Sequence, residues 1–113
     1  MQSFKIPENN EKYTWTSHVI KKMRYYKLSP SRIKRIIRNP DRTEEGIVED
    51  TIVSMKVGGT KNREEIWVMY KIEEKKDFDQ DKIKIITAWR YPGKTEEGNP
   101  VPDNILSDIR NIV

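Results

Sequence analysis

His18 is the only histidine in the chain, and it stands at the head of a cationic stretch. Residues 16–40, "TSHVIKKMRYYKLSPSRIKRIIRNP", hold eight lysines and arginines and no aspartate or glutamate. An imidazole of ordinary pKa, about 6.5, exchanges a proton near neutral pH. RNA carries its own nucleophile, the 2′-hydroxyl, so a site that cuts it needs no metal. It needs a proton acceptor, a proton donor and cations that stabilise the charged pentavalent phosphate. His18 fits the acceptor. Lys22, one helical turn later, can reach the same phosphate, and Arg90, at the end of the last strand, is the second cation. Tyr25 can orient the substrate or donate a proton.

A helix start lowers the pKa of a histidine through the macrodipole, and Lys21 and Lys22 push the same way as like charges. His18 is therefore expected neutral, as a base that takes the 2′-hydroxyl proton. The leaving oxygen would be protonated by Tyr25, Lys21 or water. The plainer reading is that His18 caps its helix or bonds to the sheet, with Lys22 and Tyr25 on an ordinary solvated face.

Five further cations of the stretch, Lys21, Arg24, Arg32, Arg35 and Arg38, are candidates for phosphate contacts. The net charge of +4 is unevenly spread: residues 1–40 carry +8 and residues 41–113 carry −4. A segregated basic block focuses its field on an anionic partner better than dispersed charge does. Solvated helices usually mix signs to gain lateral pairs, and this stretch does not. RNA is the first expected partner and an acidic antitoxin-like protein the second. The contrary expectation is that acidic residues of the sheet neutralise these cations.

Other chemistries fall away. The chain has no cysteine, which excludes disulfides, thiolate metal sites and a cysteine nucleophile. One histidine excludes a histidine-rich zinc site within one chain. "DFDQD" places Asp77, Asp79 and Asp81 like the start of a calcium loop, but Lys82 stands where the glycine belongs and Ala88 where the glutamate belongs. "GGTKN" lacks the P-loop spacing and reads as a turn. No cofactor is expected. Trp67, Trp89 and Tyr91 could stack bases, although aromatics on alternating strands are more often core.

These residues must be positioned by a small scaffold. The length of 113 residues fits one domain, with residues 1–11 as a loose lead-in and 92–113 as a C-terminal extension. No run of about 18 apolar residues predicts a membrane span, and the first residues lack the apolar core of a signal peptide. A cytoplasmic location is expected.

"KYTWT" is a short β-prone run. Ser17 looks like the N-cap of a helix over residues 18–27. Val19, Met23 and Tyr26 share one stripe of it, with Ile20 at the edge, and His18, Lys21, Lys22 and Tyr25 take the opposite face. Ser29 and Pro30 start a second helix whose stripe is Ile33, Ile36 and Ile37. Asn39-Pro40 ends it.

Beyond Pro40 the period becomes two. "GIVEDTIVSMKV" contains a strand. In "EEIWVMYKIEE", Ile66, Val68, Tyr70 and Ile72 share a face opposite Trp67 and Met69. In "KIKIITAWRY", Ile83, Ile85, Thr87, Trp89 and Tyr91 are expected on one face, with Ile86, Ala88 and Arg90 on the other. Short polar links favour antiparallel hairpins. "YPGKTEEGNPVP" breaks regular structure. Asp103 can cap a docked helix with an apolar stripe of Ile105, Leu106, Ile109, Ile112 and Val113. The expected class is α+β: two N-terminal helices on an antiparallel sheet of three to four strands, plus a C-terminal helix.

This order of elements, with Ser17-His18, Met23, Asn39-Pro40 and Thr87-Ala88-Trp89-Arg90, resembles a bacterial domain family of unknown function grouped with the RelE-like (barnase–EndoU–colicin–RelE) metal-independent ribonuclease fold. The resemblance spans residues 13–91. Lys22 stands where that family has an arginine, and Lys27-Leu28-Ser29 replaces its glycine-containing link. The resemblance implies RNA binding with metal-independent endoribonuclease activity of toxin type. The alternative is a non-catalytic nucleic-acid or protein-binding module on the same scaffold. Lysine at position 22 favours the second slightly, because it meets phosphate as a point charge and not as a bidentate fork.

Overall fold

The computed structural model describes residues 4–46, 48–59, 61–74, 81–98 and 100–110, with residues 109 and 110 described by backbone only. Its elements run β1 (Tyr13–Trp15), α1 (Ser17–Tyr26), α2 (Pro30–Arg38), β2 (Arg42–Glu45), β3 (Thr51–Gly58), β4 (Glu64–Glu73), β5 (Lys82–Pro92) and α3 (Asp103–Arg110). The class is α+β, as expected. The sheet has five strands in the order β1-β5-β4-β3-β2, antiparallel except for the β1–β5 pair. The fifth strand, β2, is "RTEE", which has no apolar alternation to announce it.

Period-two alternation in β4 gives the sheet two apolar faces. Ile66, Val68 and Tyr70 join Val19, Met23, Leu28, Ile33 and Ile36 of the helical layer in one core. Trp67 and Met69 join Val53, Met55, Ile86, Trp89, Val101 and Ile105 in the other. The stripes of α1 and α2 are thus buried on one face, and the C-terminal extension covers the opposite one. The side chain of Ile109, and Ile112 and Val113 entirely, lie outside the described residues.

β5 departs from strict alternation. Tyr70 pairs with Ile85 but Met69 pairs with Thr87, so Ile86 is the extra residue of a bulge. The bulge flips the parity. Ile85 and Ala88 share the helical-layer core, while Ile86 and Trp89 share the other. Arg90, two residues after Ala88, therefore points to the helical side with Ile66, its direct partner on β4.

α1 starts one residue earlier than expected, because Thr16 and not Ser17 is the cap. Thr16 Oγ1 accepts from Val19 N at 3.1 Å and donates to Ile86 O at 2.8 Å. One hydroxyl thus caps the helix and fastens it to the bulge. β1 lies beside only Ile83–Ile85, and α1 continues along the rest of β5. Its far end is fixed by Arg90, whose Nε donates to Tyr26 O at 2.7 Å. Lys27 closes α1 in the left-handed region, at φ 58°.

α2 has the expected Ser29 cap, accepting from Arg32 N, with Pro30 at the first position. Within the lead-in, Phe4, Asn9 and Asn10 are tied to the scaffold. Asn9 Oδ1 accepts from Trp15 N at 2.7 Å, Asn10 Oδ1 accepts from Tyr13 N at 2.8 Å, and Phe4 packs against the helical-layer core. These asparagines satisfy edge amides of β1.

Candidate nucleic-acid interface

The candidate residues fall into two separate places. The first is the start of α1. His18 is half-buried there, and its Nε2 is buried with no hydrogen-bond partner among the described residues. Burial, chiefly, and then the Lys22 charge lower its pKa below 6.5. Asp108 opposes this and Lys21 adds to it. The direction is the one expected from the sequence, but desolvation leads the causes. Lys22 is not free for a phosphate: its ammonium pairs with Asp108 of α3 at 3.2 Å. Thr16, not His18, caps α1 and bonds to the sheet, and His18 has no side-chain hydrogen bond to the sheet among the described residues.

The second place is the end of α1, the first turns of α2 and the ends of β3–β5. Arg90 holds Tyr26 O and also donates to the Glu64 carboxylate. From Tyr26 back to His18 is eight residues, or about 12 Å of helix axis. His18 and Lys22 are neighbours. Arg90 is anchored a helix length away, and the three do not converge on one phosphate.

Arg32 lies beside Arg90. Burial first, then the charges of Arg90 and Arg35, with Glu64 opposing, lower its pKa from the ordinary arginine value. A guanidinium in such a place stays protonated. Arg90 already has Glu64 as its counter-charge, so the unmatched charge here is that of Arg32 and Arg35. Gly58 makes room for this group, as a Cβ there would lie 2.8 Å from Arg32 Nη2. Arg32 and Arg35, with Ile36, Lys56 and Val57, line a cleft of about 150 Å³. Lys56 donates to Asn39 O at 3.0 Å and lies 3.6 Å from an Asp41 carboxylate oxygen. Arg38 continues the stripe, because residues three apart are neighbours on a helix.

Among the described residues, Lys21, Arg24, Arg32, Arg35 and Arg38 form no ion pair. The described carboxylates of the acidic half pair with other cations: Glu44 and Glu65 with Arg42, Glu65 also with Arg63, Glu64 with Arg90, Asp41 with Lys56 and Asp108 with Lys22. Arg24 instead sits 5.1 Å from the Phe4 ring centre, and Lys34 covers Tyr13 at 5.2 Å.

Tyr25 is 74% exposed, the most open of the large apolar side chains among the described residues. Trp67 and Trp89 are fully buried and stacked on each other, with centroids 6.1 Å apart and planes 8° apart. They are core and offer no ring to a base, while Tyr91 is half-buried.

Sequence reasoning missed two groups. Lys56 joins the cleft because it shares strand parity with Ile52 and Ser54, opposite Ile66 on the helical side. Glu65 is completely buried, in phase with Trp67 and Met69. It accepts hydrogen bonds from Thr95 Oγ1 (2.6 Å), Thr95 N (3.1 Å), Trp67 Nε1 (3.1 Å) and Arg63 Nη2 (3.2 Å). Arg42 joins this network, donating to Thr95 O and stacking over Trp67 at 4.8 Å. A carboxylate in phase with a tryptophan was the available signal for a buried polar clamp. The clamp fixes the extension that begins after β5 onto the sheet.

Comparison with family models, curated proteins and solved structures gives no match.

Proposed function

We propose that this chain binds RNA through the phosphate backbone, on the surface made by α2 and the adjoining ends of β3–β5. The observation that carries the reading is the cleft of Arg32, Arg35 and Lys56 with Arg90 behind it, where neither Arg32 nor Arg35 has a described carboxylate partner. Arginines grouped without counter-charge, as Arg32 and Arg35 are, release counterions when they meet phosphates, and this release supplies most of a sequence-independent affinity. Planar guanidinium forks at Arg32 and Arg35 suit phosphate oxygens.

Binding without cleavage is the favoured form. His18 has a base-like low pKa, but its neighbour Lys22 is paired with Asp108 and Arg90 is anchored at the other end of α1. An acidic antitoxin-like protein is the competing partner for the same cations. No helix among the described residues is long and apolar enough to cross a membrane, and a cytoplasmic setting, where RNA is met, belongs to the proposal.

Labelled RNA incubated with the protein in a chelator tests the reading. Retarded and intact RNA is expected. Cleavage to a 2′,3′-cyclic phosphate that disappears in His18→Ala, with binding retained, would replace binding by catalysis. No retardation at low salt would remove RNA as the partner.

A further inference from the structure

The charges at the α2 cleft do not cancel. Arg32, Arg35 and Lys56 line it, and Arg90 stands beside Arg32. Arg90 is matched by Glu64, and Lys56 by Asp41. Arg32 and Arg35 have no carboxylate partner among the described residues. Two positive charges are left over, both on guanidinium groups.

The rest of the lining sets the size. Ile36 and Val57 add apolar surface, and the cleft holds about 150 Å³. Sites for whole small molecules begin at roughly 300 Å³, so this one takes a single compact group and not a nucleotide. Arg32 is half-buried and Arg35 exposed. An anion that reaches Arg32 leaves water on that side, where opposite charges attract more strongly than on an open surface. Glycine at position 58 keeps the recess in shape, since a Cβ there would lie 2.8 Å from Arg32 Nη2 and displace the guanidinium.

Phosphates differ in how well they meet such a recess. An internal phosphodiester carries one negative charge and has a sugar on either side. A terminal phosphomonoester carries about 1.5–2 negative charges at pH 7, because its second pKa is about 6, and offers three free oxygens. With one ester link only, it can enter a small cleft end-on. Two unmatched guanidinium forks suit it in charge and in donors.

We propose that the cleft takes the terminal phosphate of an RNA strand, a phosphomonoester bound between Arg32 and Arg35. This rests on the phosphate-binding reading above and adds which phosphate enters the cleft. A 5′- and a 3′-phosphate share this chemistry, and the experiment separates them.

The test is fluorescence anisotropy at low salt with an internally labelled, unstructured RNA of about twelve nucleotides. It is made with hydroxyls at both ends, with a 5′-phosphate, and with a 3′-phosphate. A fourth RNA is one nucleotide longer with hydroxyl ends, so it has as many phosphates as the phosphorylated strands, all internal. A phosphorylated strand should bind the parent about ten- to a hundred-fold tighter than either hydroxyl-ended RNA, the factor for one added charge-assisted hydrogen bond. Arg35→Gln and Gly58→Ala should each erase that advantage. Arg35 is exposed, so Arg35→Gln should keep the parent's urea midpoint, and its result stands even where Gly58→Ala unfolds. Equal binding of all four RNAs by the parent overturns the terminal-phosphate reading and leaves backbone binding standing. An advantage that survives in Arg35→Gln puts the end phosphate elsewhere and overturns it too. A parent that binds none of them at low salt overturns both readings.

Discussion

Replacing Glu65 by glutamine changes almost no volume and removes one buried charge. The carboxylate is fully buried, and its two oxygens have different duties. Oε1 accepts from Trp67 Nε1, Thr95 N and Thr95 Oγ1, whereas Oε2 accepts from Arg63 and faces Arg42 Nη1 at 3.9 Å. A glutamine can keep its carbonyl oxygen at the first position. Its amide then points donors at two guanidinium groups. The charge-assisted bond from Arg63 is lost, a cost of about 1.5–3 kcal/mol, and three further bonds fall from a charged to a neutral acceptor at about 0.5–1 kcal/mol each. These losses share one network and do not add fully. The range for breaking a buried ion pair, about 3–5 kcal/mol, is the expected total. Urea unfolding followed by tryptophan fluorescence reads it, since Trp67 is in the network and Trp89 stacks on Trp67. With a slope of about 1.5 kcal/mol per molar urea, the midpoint should drop by about 2–3 M. The pH dependence supplies a second reading. Burial raises the Glu65 pKa, but bonds from Thr95, Trp67 and Arg63 outweigh it and hold the value below 4.5. The contribution is therefore complete above about pH 4.5 and is lost as the pH falls through the lower folded value. The gap between parent and Glu65→Gln should stay constant from neutral pH down to 4.5 and close below it. A loss under about 1 kcal/mol at neutral pH would refute the clamp.

Two other substitutions probe the scaffold. Ile36 is 1% exposed between α2 and the sheet, so Ile36→Ala should cost about 2–5 kcal/mol in the same urea assay; a cost below about 1 kcal/mol would make α2 peripheral. His18 has its folded pKa lowered below 6.5 by burial and by Lys22, so the unfolded chain takes up a proton first as the pH falls. Stability from this group is complete above about pH 6.5 and declines below it. His18→Gln should flatten that part of the profile, and an unchanged slope would show that the imidazole is not held neutral.

Most of the scaffold was legible because it is written in periodicity. The stripe of Val19 and Met23, the stripe of Ile33 and Ile36, and the two faces of β4 all lie where 3.6- and two-residue spacing puts them. The bulge at Ile86 was not legible, since nothing local marks the residue at which "KIKIITAWRY" skips a register. β2 was hidden because "RTEE" is stabilised by pairing with β3 and by Arg42 and Glu44 contacts, not by an apolar face. The cap slipped by one residue because Thr16 and Ser17 are equally good caps locally, and a tertiary bond to Ile86 O decides for Thr16. The candidate site was half legible. His18 and Lys22 are neighbours by helical spacing, as expected. The destination of Arg90 depends on strand register and on the length of α1, neither of which one-dimensional spacing contains. Asp108, which occupies Lys22, comes from 86 positions further along the chain.

RNA affinity as a function of salt, measured for the parent and for the double variant Arg32→Ala/Arg35→Ala, tests the central claim most directly. For the parent, the logarithm of the binding constant should fall linearly with the logarithm of salt concentration, by about 0.7–0.9 per phosphate contact. The double variant should bind more weakly at low salt and with a slope shallower by about 1–2, as expected for losing two phosphate contacts. A parent affinity that does not change between 50 and 200 mM salt, about the range over which several phosphate contacts cost orders of magnitude, would contradict the account. So would a double variant that follows the parent's line.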